Sequence, residues 1–197
     1  VEQQHVWSPE QRERERELAS LPGREHADAQ VERGRTAAFL ITNAESAALH
    51  LNDLKRRPLD FDPLTRDRFL AGALLPAAWV VQAQRVRHWF ARQVAKAFES
   101  VDVVLAPATP CTAPVIGTEW LDINGQKHPS RPAMGLLTQP VSFAGCPVVA
   151  APMWPEGTGG LPIGVQVIAA PWREDLALRA ARALEQSGVA GIREVAL

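Results

Sequence analysis

Lysine is scarce in this chain. Of the 21 basic side chains in 197 residues, only Lys55, Lys96 and Lys127 are lysine, the rest being arginine. Any mechanism that needs a lysine as base or nucleophile therefore has three candidates. Cysteine is scarcer still, with Cys111 and Cys146 alone. They lie far apart in apolar surroundings, without the paired spacing of a zinc site or the C-x-x-C of a redox centre. With no secretory signal in view they read as buried free thiols of a reducing cytosol, and a cytoplasmic location is expected. Long apolar runs are missing as well. The longest uncharged stretch, Pro132 to Pro155, is broken by glycines and prolines and lacks the ~20 continuous apolar residues of a spanning helix, so no membrane partner is expected. Nor is either sign of charge in excess: 21 basic residues face 22 acidic ones, for a net charge of −1. No global field draws the chain to nucleic acid or an anionic surface, which leaves a neutral partner or a small molecule.

The usual catalytic patterns are absent too. His5, His26, His50, His88 and His128 are scattered, with no pair at i, i+3 or i+4 and no carboxylate ladder beside them, so no metal is expected. The loop "EGTGGLP" lacks the glycine spacing and the terminal Lys-Ser/Thr of a phosphate cradle, and reads as a loop tip. No serine stands in a G-x-S-x-G frame. Ser142, in "PVSFAG", is the nearest approach, in a Pro/Gly-rich loop where backbone amides often face a ligand. It has neither lysine nor histidine near it in sequence. Asp60 with Asp62, and Glu174 with Asp175, could be drawn as acid/base pairs, but both lie at helix starts, where carboxylates favour the positive end of the dipole. Trp154 and Trp172 flank the last strand pair and could form an aromatic pocket wall, with core packing the favoured reading.

What is present is a domain's worth of core, at 46% hydrophobic residues. "SPEQRERERELASL" has Ser8 as N-cap, Pro9 at the first helical position and Gln11 to close a capping box, but almost no apolar face, so a solvated helix is expected there. A loop around "LPGREHADAQ" follows. "RTAAFLITNAESAALHLNDLKRR" spaces its aliphatics at three and four residues, as a core-facing helix would, until Pro58 ends it. Gly72 and Pro76 mark the break between a short helix and a long one that turns Val80, Val81, Val86, Phe90, Val94 and Phe98 to the core. After Ser100 the texture changes. "VDVVLAP" reads as a strand buried on both faces, Asn124-Gly125 as the turn of a hairpin, and "CPVVAAPM" and "LPIGVQVIAAP" as two further strands. "REDLALRAARALEQSG" closes with an amphipathic helix ended by Gly188. Helices with short buried strands imply an α/β domain.

Three blocks, "DVVLAPATPCTAPVIG" at 102–117, "LTQPVSFAGCPVVAAP" at 137–152 and "GLPIGVQVIAAPWREDLALRAARALE" at 160–185, resemble in order and spacing the C-terminal part of the amidase signature family. "RDRFLAGALLPAAWVVQAQRVR" and "RTAAFLITNAESAALHL" resemble the two helical segments before them. The resemblance runs from about Arg33 to the end. Residues 1–30 form an unmatched charged segment, and residues 31–197 a C-terminal portion of the amidase-signature domain. The implied fold is a mixed β-sheet covered by helices. The implied reaction is hydrolysis of C–N bonds in small amides or urea-like substrates, carboxybiuret among them, without metal or organic cofactor. A serine attacks the carbonyl, a second serine on a cis peptide relays its proton to a neutral lysine, and backbone amides hold the oxyanion.

That triad lies in a Ser-Ser-containing segment and a lysine of the family's N-terminal half. The chain contains no Ser-Ser pair, and its three lysines fall in segments that do not match, so no catalytic residue is assigned. The family's loop corresponding to Leu137–Cys146 approaches the substrate pocket, which makes Thr138, Gln139 and Ser142 the candidate substrate contacts. The implied partners are a small amide substrate, the missing N-terminal half, and a second copy or a small helical subunit. Two other readings compete: a non-catalytic binding or partner module derived from the fold, and a truncated inactive product, to which the start at Val1 and the unmatched charged segment point.

Overall fold

The longest element is a helix, α1 (Arg24–Arg56), about 50 Å from end to end at 1.5 Å per residue. The computed structural model describes residues 24–155 and 160–193, and side chains of α1 from residue 29 onward. The helix expected at Ser8 lies outside the described residues. The expected loop around "LPGREHADAQ" does not hold over its described part, which is already helical from Arg24. Alanine and long unbranched residues are good helix formers, so the helix begins ahead of its aliphatic spacing.

Towards its middle α1 buries Ala37, Ala38, Ile41 and Ala47, and near its end Leu54. Small residues on this face let two further helices approach closely. α2 (Pro63–Ala73) carries Gly72 against the backbone of Asn43, where a Cβ would run into the Asn43 carbonyl. α3 (Ala77–Ala97) brings Ala83 and Phe90 onto Ala37, Ala38 and Ile41. The break between α2 and α3 falls where Gly72 and Pro76 place it. Of the six core residues expected on α3, Phe90 is buried, while Val81 is 54% exposed and turns outward. A 21-residue helix covered along one side keeps only one stripe in the core.

The strands follow. β1 (Val103–Pro107), β4 (Val148–Met153) and β5 (Ile163–Ala169) form a sheet in the order β1-β5-β4, with Val104 opposite Ile168 and Val149 opposite Val167. β2 (Trp120–Ile123) and β3 (Gln126–Pro129) form a separate hairpin. Its turn has positive φ at both Asn124 (54°) and Gly125 (78°), the geometry that the Asn-Gly pair favours. All these pairings are antiparallel, so any parallel part of the expected mixed sheet is not among the described residues. The combination of helices and sheet is the α/β class expected.

β5, and not β1, is the strand buried on both faces. Gln166, Val167, Ile168 and Ala169 are 2%, 0%, 6% and 0% exposed in succession. β1 pairs on one side only, and Leu105 is 53% exposed, which corrects the expectation for "VDVVLAP". An edge strand has one flank uncovered, however apolar its sequence. The last helix, α6 (Glu174–Gln186), packs on β4 and β5 through Ala177. Trp172 is 89% exposed and Trp154 half-buried, its Nε1–H donating to the Gly191 carbonyl at 2.7 Å, so neither is packed into the core.

Two short helices complete the chain: α4 (Ser130–Met134), directly after β3, and α5 (Gln139–Ala144). α5 replaces the loop expected around Ser142. Pro140 sits near its start and Gly145, at φ 81°, ends it in the left-handed region that favours glycine. Phe143 anchors α5 on the helical core, its ring 5.8 Å from that of Phe90, while Arg87 Nε donates to the Phe143 carbonyl at 3.1 Å. Among the described residues no helix is long and apolar enough to cross a membrane.

Candidate active-site cleft

A cleft of about 1350 Å³ opens between the first half of α1, the start of α2, the β2–β3 hairpin with α4, and the start of α5. Each wall contributes polar side chains by a local rule. On α1, Arg35 stands one turn from Phe39, so both look into the cleft, and Thr36 lies beside them. α2 brings Leu64, Thr65 and Arg68, α4 brings Ser130 and Arg131, and α5 brings Gln139.

The arginines are held differently. Arg35 is pinned on both sides, Nη1 to Glu32 Oε1 at 2.9 Å and Nε donating to Gln139 Oε1 at 3.4 Å. Arg131 spans the gap to α2, with Nη1 3.3 Å from Asp62 Oδ1. Asp62 is the N-cap of α2, accepting from the backbone N–H groups of Leu64 at 3.0 Å and Thr65 at 3.2 Å, as expected for a carboxylate at a helix start. The Arg131 guanidinium, helped by these amides, holds the Asp62 carboxyl below the usual carboxylate range. Arg68 has no carboxylate within ion-pair distance among the described residues. Its Nη2 donates to Oδ1 of the buried Asn43 at 3.2 Å, and its guanidinium lies 4.9 Å from the Phe39 ring centroid. A cation oriented by a neutral amide and an aromatic face keeps donors available to an anion. Glu119, on the opposite rim, has no ion-pair partner among the described residues either.

Of the three candidate contacts, Gln139 lines the cleft, while Thr138 and Ser142 are outside its lining. Thr138 caps α5 with its backbone, its carbonyl accepting from the Ser142 N–H at 3.0 Å, and Ser142 is exposed. Arg35, Arg68, Ser130 and Arg131 line the cleft without being among the expected contacts. The Glu32/Arg35 spacing of three residues was the one visible signal, and on a helix it reads as a solvated ion pair. Cys111 and Cys146 are free thiols, as expected, though half-buried; burial pushes the Cys146 thiol up.

The cleft is thus a polar recess walled by helices and by the end of the hairpin, and the family follows from comparison. The Amidase family matches residues 25–178, and the chain belongs to it. It is 57% identical over 166 residues to the 1-carboxybiuret hydrolase subunit AtzE of Pseudomonas sp. (strain ADP), covering 84% of this chain and 36% of that protein. A solved, inhibitor-bound complex, described as a vestigial protein complex that reveals the origins of an s-triazine catabolic enzyme, superimposes with a TM-score of 0.79 at 57% identity over 83% of this chain and 36% of the other. A crystal structure of an amidase superimposes with a TM-score of 0.75 at 30% identity, over 80% and 36% of the two chains. The chain thus spans about a third of the length of these relatives.

Proposed function

We propose that this chain is the C-terminal part of an amidase-type hydrolase that cleaves C–N bonds in small amides or urea-like substrates, carboxybiuret being the foremost candidate. The observation that carries the reading is the 57% identity to a 1-carboxybiuret hydrolase subunit over 84% of the chain. The cleft supports it physically. A carboxylated urea is small, planar and rich in acceptor oxygens, and Arg68 and Gln139 meet it with donors. Thr138 and Ser142 would join Gln139 as contacts once the other half of the pocket is in place. The nucleophilic serine, the relaying serine and the lysine base belong to that other half.

The same reading identifies the partner. Among the described residues β1 pairs only with β5, and β4 pairs with β5 and, at Met153, with Ala190, so β1 and the first part of β4 present backbone donors and acceptors outward. An N-terminal half of the same fold would cover one such edge and close the cleft. A second copy, or a small helical subunit, would add to this assembly without supplying the triad. Hydrolysis assays on carboxybiuret, biuret and short amides, followed by ammonia release, check the proposal. The chain alone is expected to be silent, and addition of the N-terminal half of a close relative to restore turnover. Robust turnover by the chain alone would sink the assignment of the chemistry to the other half.

A further inference from the structure

We infer that Arg35 is a positioning residue: it fixes which end of the Gln139 side-chain amide faces the cleft, and so makes this wall select a ligand that offers an acceptor oxygen, the carbonyl or carboxylate of a ureide. This deepens the functional reading above and rests on it for the identity of the cleft.

A guanidinium carries five N–H donors and no acceptor, so a carboxamide beside it must turn its oxygen towards it. Gln139 does so, Oε1 accepting from Arg35 Nε at 3.4 Å. Its NH₂ group is then directed away from Arg35. Gln139 lines the cleft, no acceptor holds Nε2 among the described residues, and Nε2 is not an atom closed off from water. The donor pair therefore stands open.

Neither partner is free to turn. The Arg35 side chain is 22% exposed and its Nη1 is held by Glu32 at 2.9 Å. The Gln139 backbone N–H donates to the Gly135 carbonyl at 3.0 Å, and α5 is fixed on the helical core by Phe143 and Arg87. With its backbone and its oxygen both tied, Gln139 presents two N–H bonds and nothing else. A ligand acceptor is matched there, whereas an ammonium or amide N–H meets donor against donor and is rejected.

Calorimetric titration of the full chain with two probes tests this: biuret, a neutral ureide, and N-carbamoylglycine, a ureide carrying a carboxylate. Gln139→Ala is expected to weaken both by about fivefold to tenfold, as for one lost hydrogen bond. Arg35→Ala should weaken neutral biuret by a similar factor, by releasing the Gln139 amide, and should cost little more when added to Gln139→Ala. Arg35→Glu offers an acceptor in place of donors, turns the amide over and should weaken both probes beyond Arg35→Ala. Arg35→Lys, which keeps one donor, should restore part of the binding, and melting curves of each variant separate lost binding from lost fold. Additive losses in the double variant overturn the inference. So does an Arg35→Ala effect confined to the charged probe, which would be a field effect. In both cases ureides still bind, and the reading of the cleft survives. A wild-type chain that binds neither probe removes the inference together with that reading.

Discussion

The strand β5 and the cleft lie within one domain, yet they treat polar groups in opposite ways. In β5 the buried Gln166 amide is satisfied twice, Nε2 donating to the Pro107 carbonyl at 2.9 Å and to the Leu137 carbonyl at 3.3 Å, and the strand around it is closed to solvent. In the cleft Arg68 lacks a carboxylate, and the Ser130 hydroxyl is buried without a hydrogen-bond partner among the described residues. A fold that balances its polar groups at one end has the means to do so at the other. Unbalanced donors kept beside a large cleft are the signature of a surface completed by something else, a ligand or another stretch of protein.

The largest effect is expected at the junction of α1 and α2, which builds one wall of the cleft from backbone contact. Gly72→Ala places a methyl group against the Asn43 carbonyl, where main chain and not a flexible side chain would have to yield. We expect a loss of about 3 kcal/mol or more in urea unfolding, at the upper end for overpacking. Because Asn43 also orients Arg68, probe binding at the cleft should weaken even where the variant remains folded. A variant as stable as wild type would show that the two helices are not held this closely.

A smaller effect is expected on the satisfied side. Gln166→Leu keeps the size and loses both hydrogen bonds, leaving the Pro107 and Leu137 carbonyls without that partner, at a cost of about 1–3 kcal/mol. Leu137 leads into α5, so hydrogen exchange over Thr138–Gly145 should rise more than over α6. Uniform exchange changes across the domain would mean that Gln166 does not couple the sheet to the cleft wall.

Much of this division was legible in the sequence, and the reasons are local. Pro58 and Pro76 bound helices by backbone chemistry that tertiary context rarely overrides, and Asn124-Gly125 has one favoured turn. The three family blocks placed the strands of the sheet and the closing helix. What the sequence hid depends on neighbours. "VDVVLAP" and "LPIGVQVIAAP" are equally apolar, but only the second has a strand on each side. "TQPVSFAG" is too short for helical periodicity to show, although Pro140 and Gly145 bracket it as a helix start and stop. The cleft arginines come from separate helices, and no spacing rule links Arg35 with Gln139 across 104 positions.

The mildest test concerns the strap across the cleft, where Arg131 meets Asp62. The Asp62 carboxyl is lowered chiefly by its hydrogen bond to Arg131, so its ionised form is favoured in the folded state. A depressed carboxyl contributes stability that is complete above its unfolded value, near pH 4, and is lost as pH falls through the lower folded value. Asp62→Asn keeps an oxygen to cap α2 but removes both the titration and the ion pair. The melting temperature of the variant should therefore sit slightly below wild type at pH 7 and converge with it on acidification. The decline with acid should persist in part, because Asp175, lowered in the same way by Arg173 on the sheet side, still titrates. Converging curves would place the strap's contribution in the ion pair. Parallel curves would place it in the cap alone, and the cleft would then be closed at that end by geometry and not by charge.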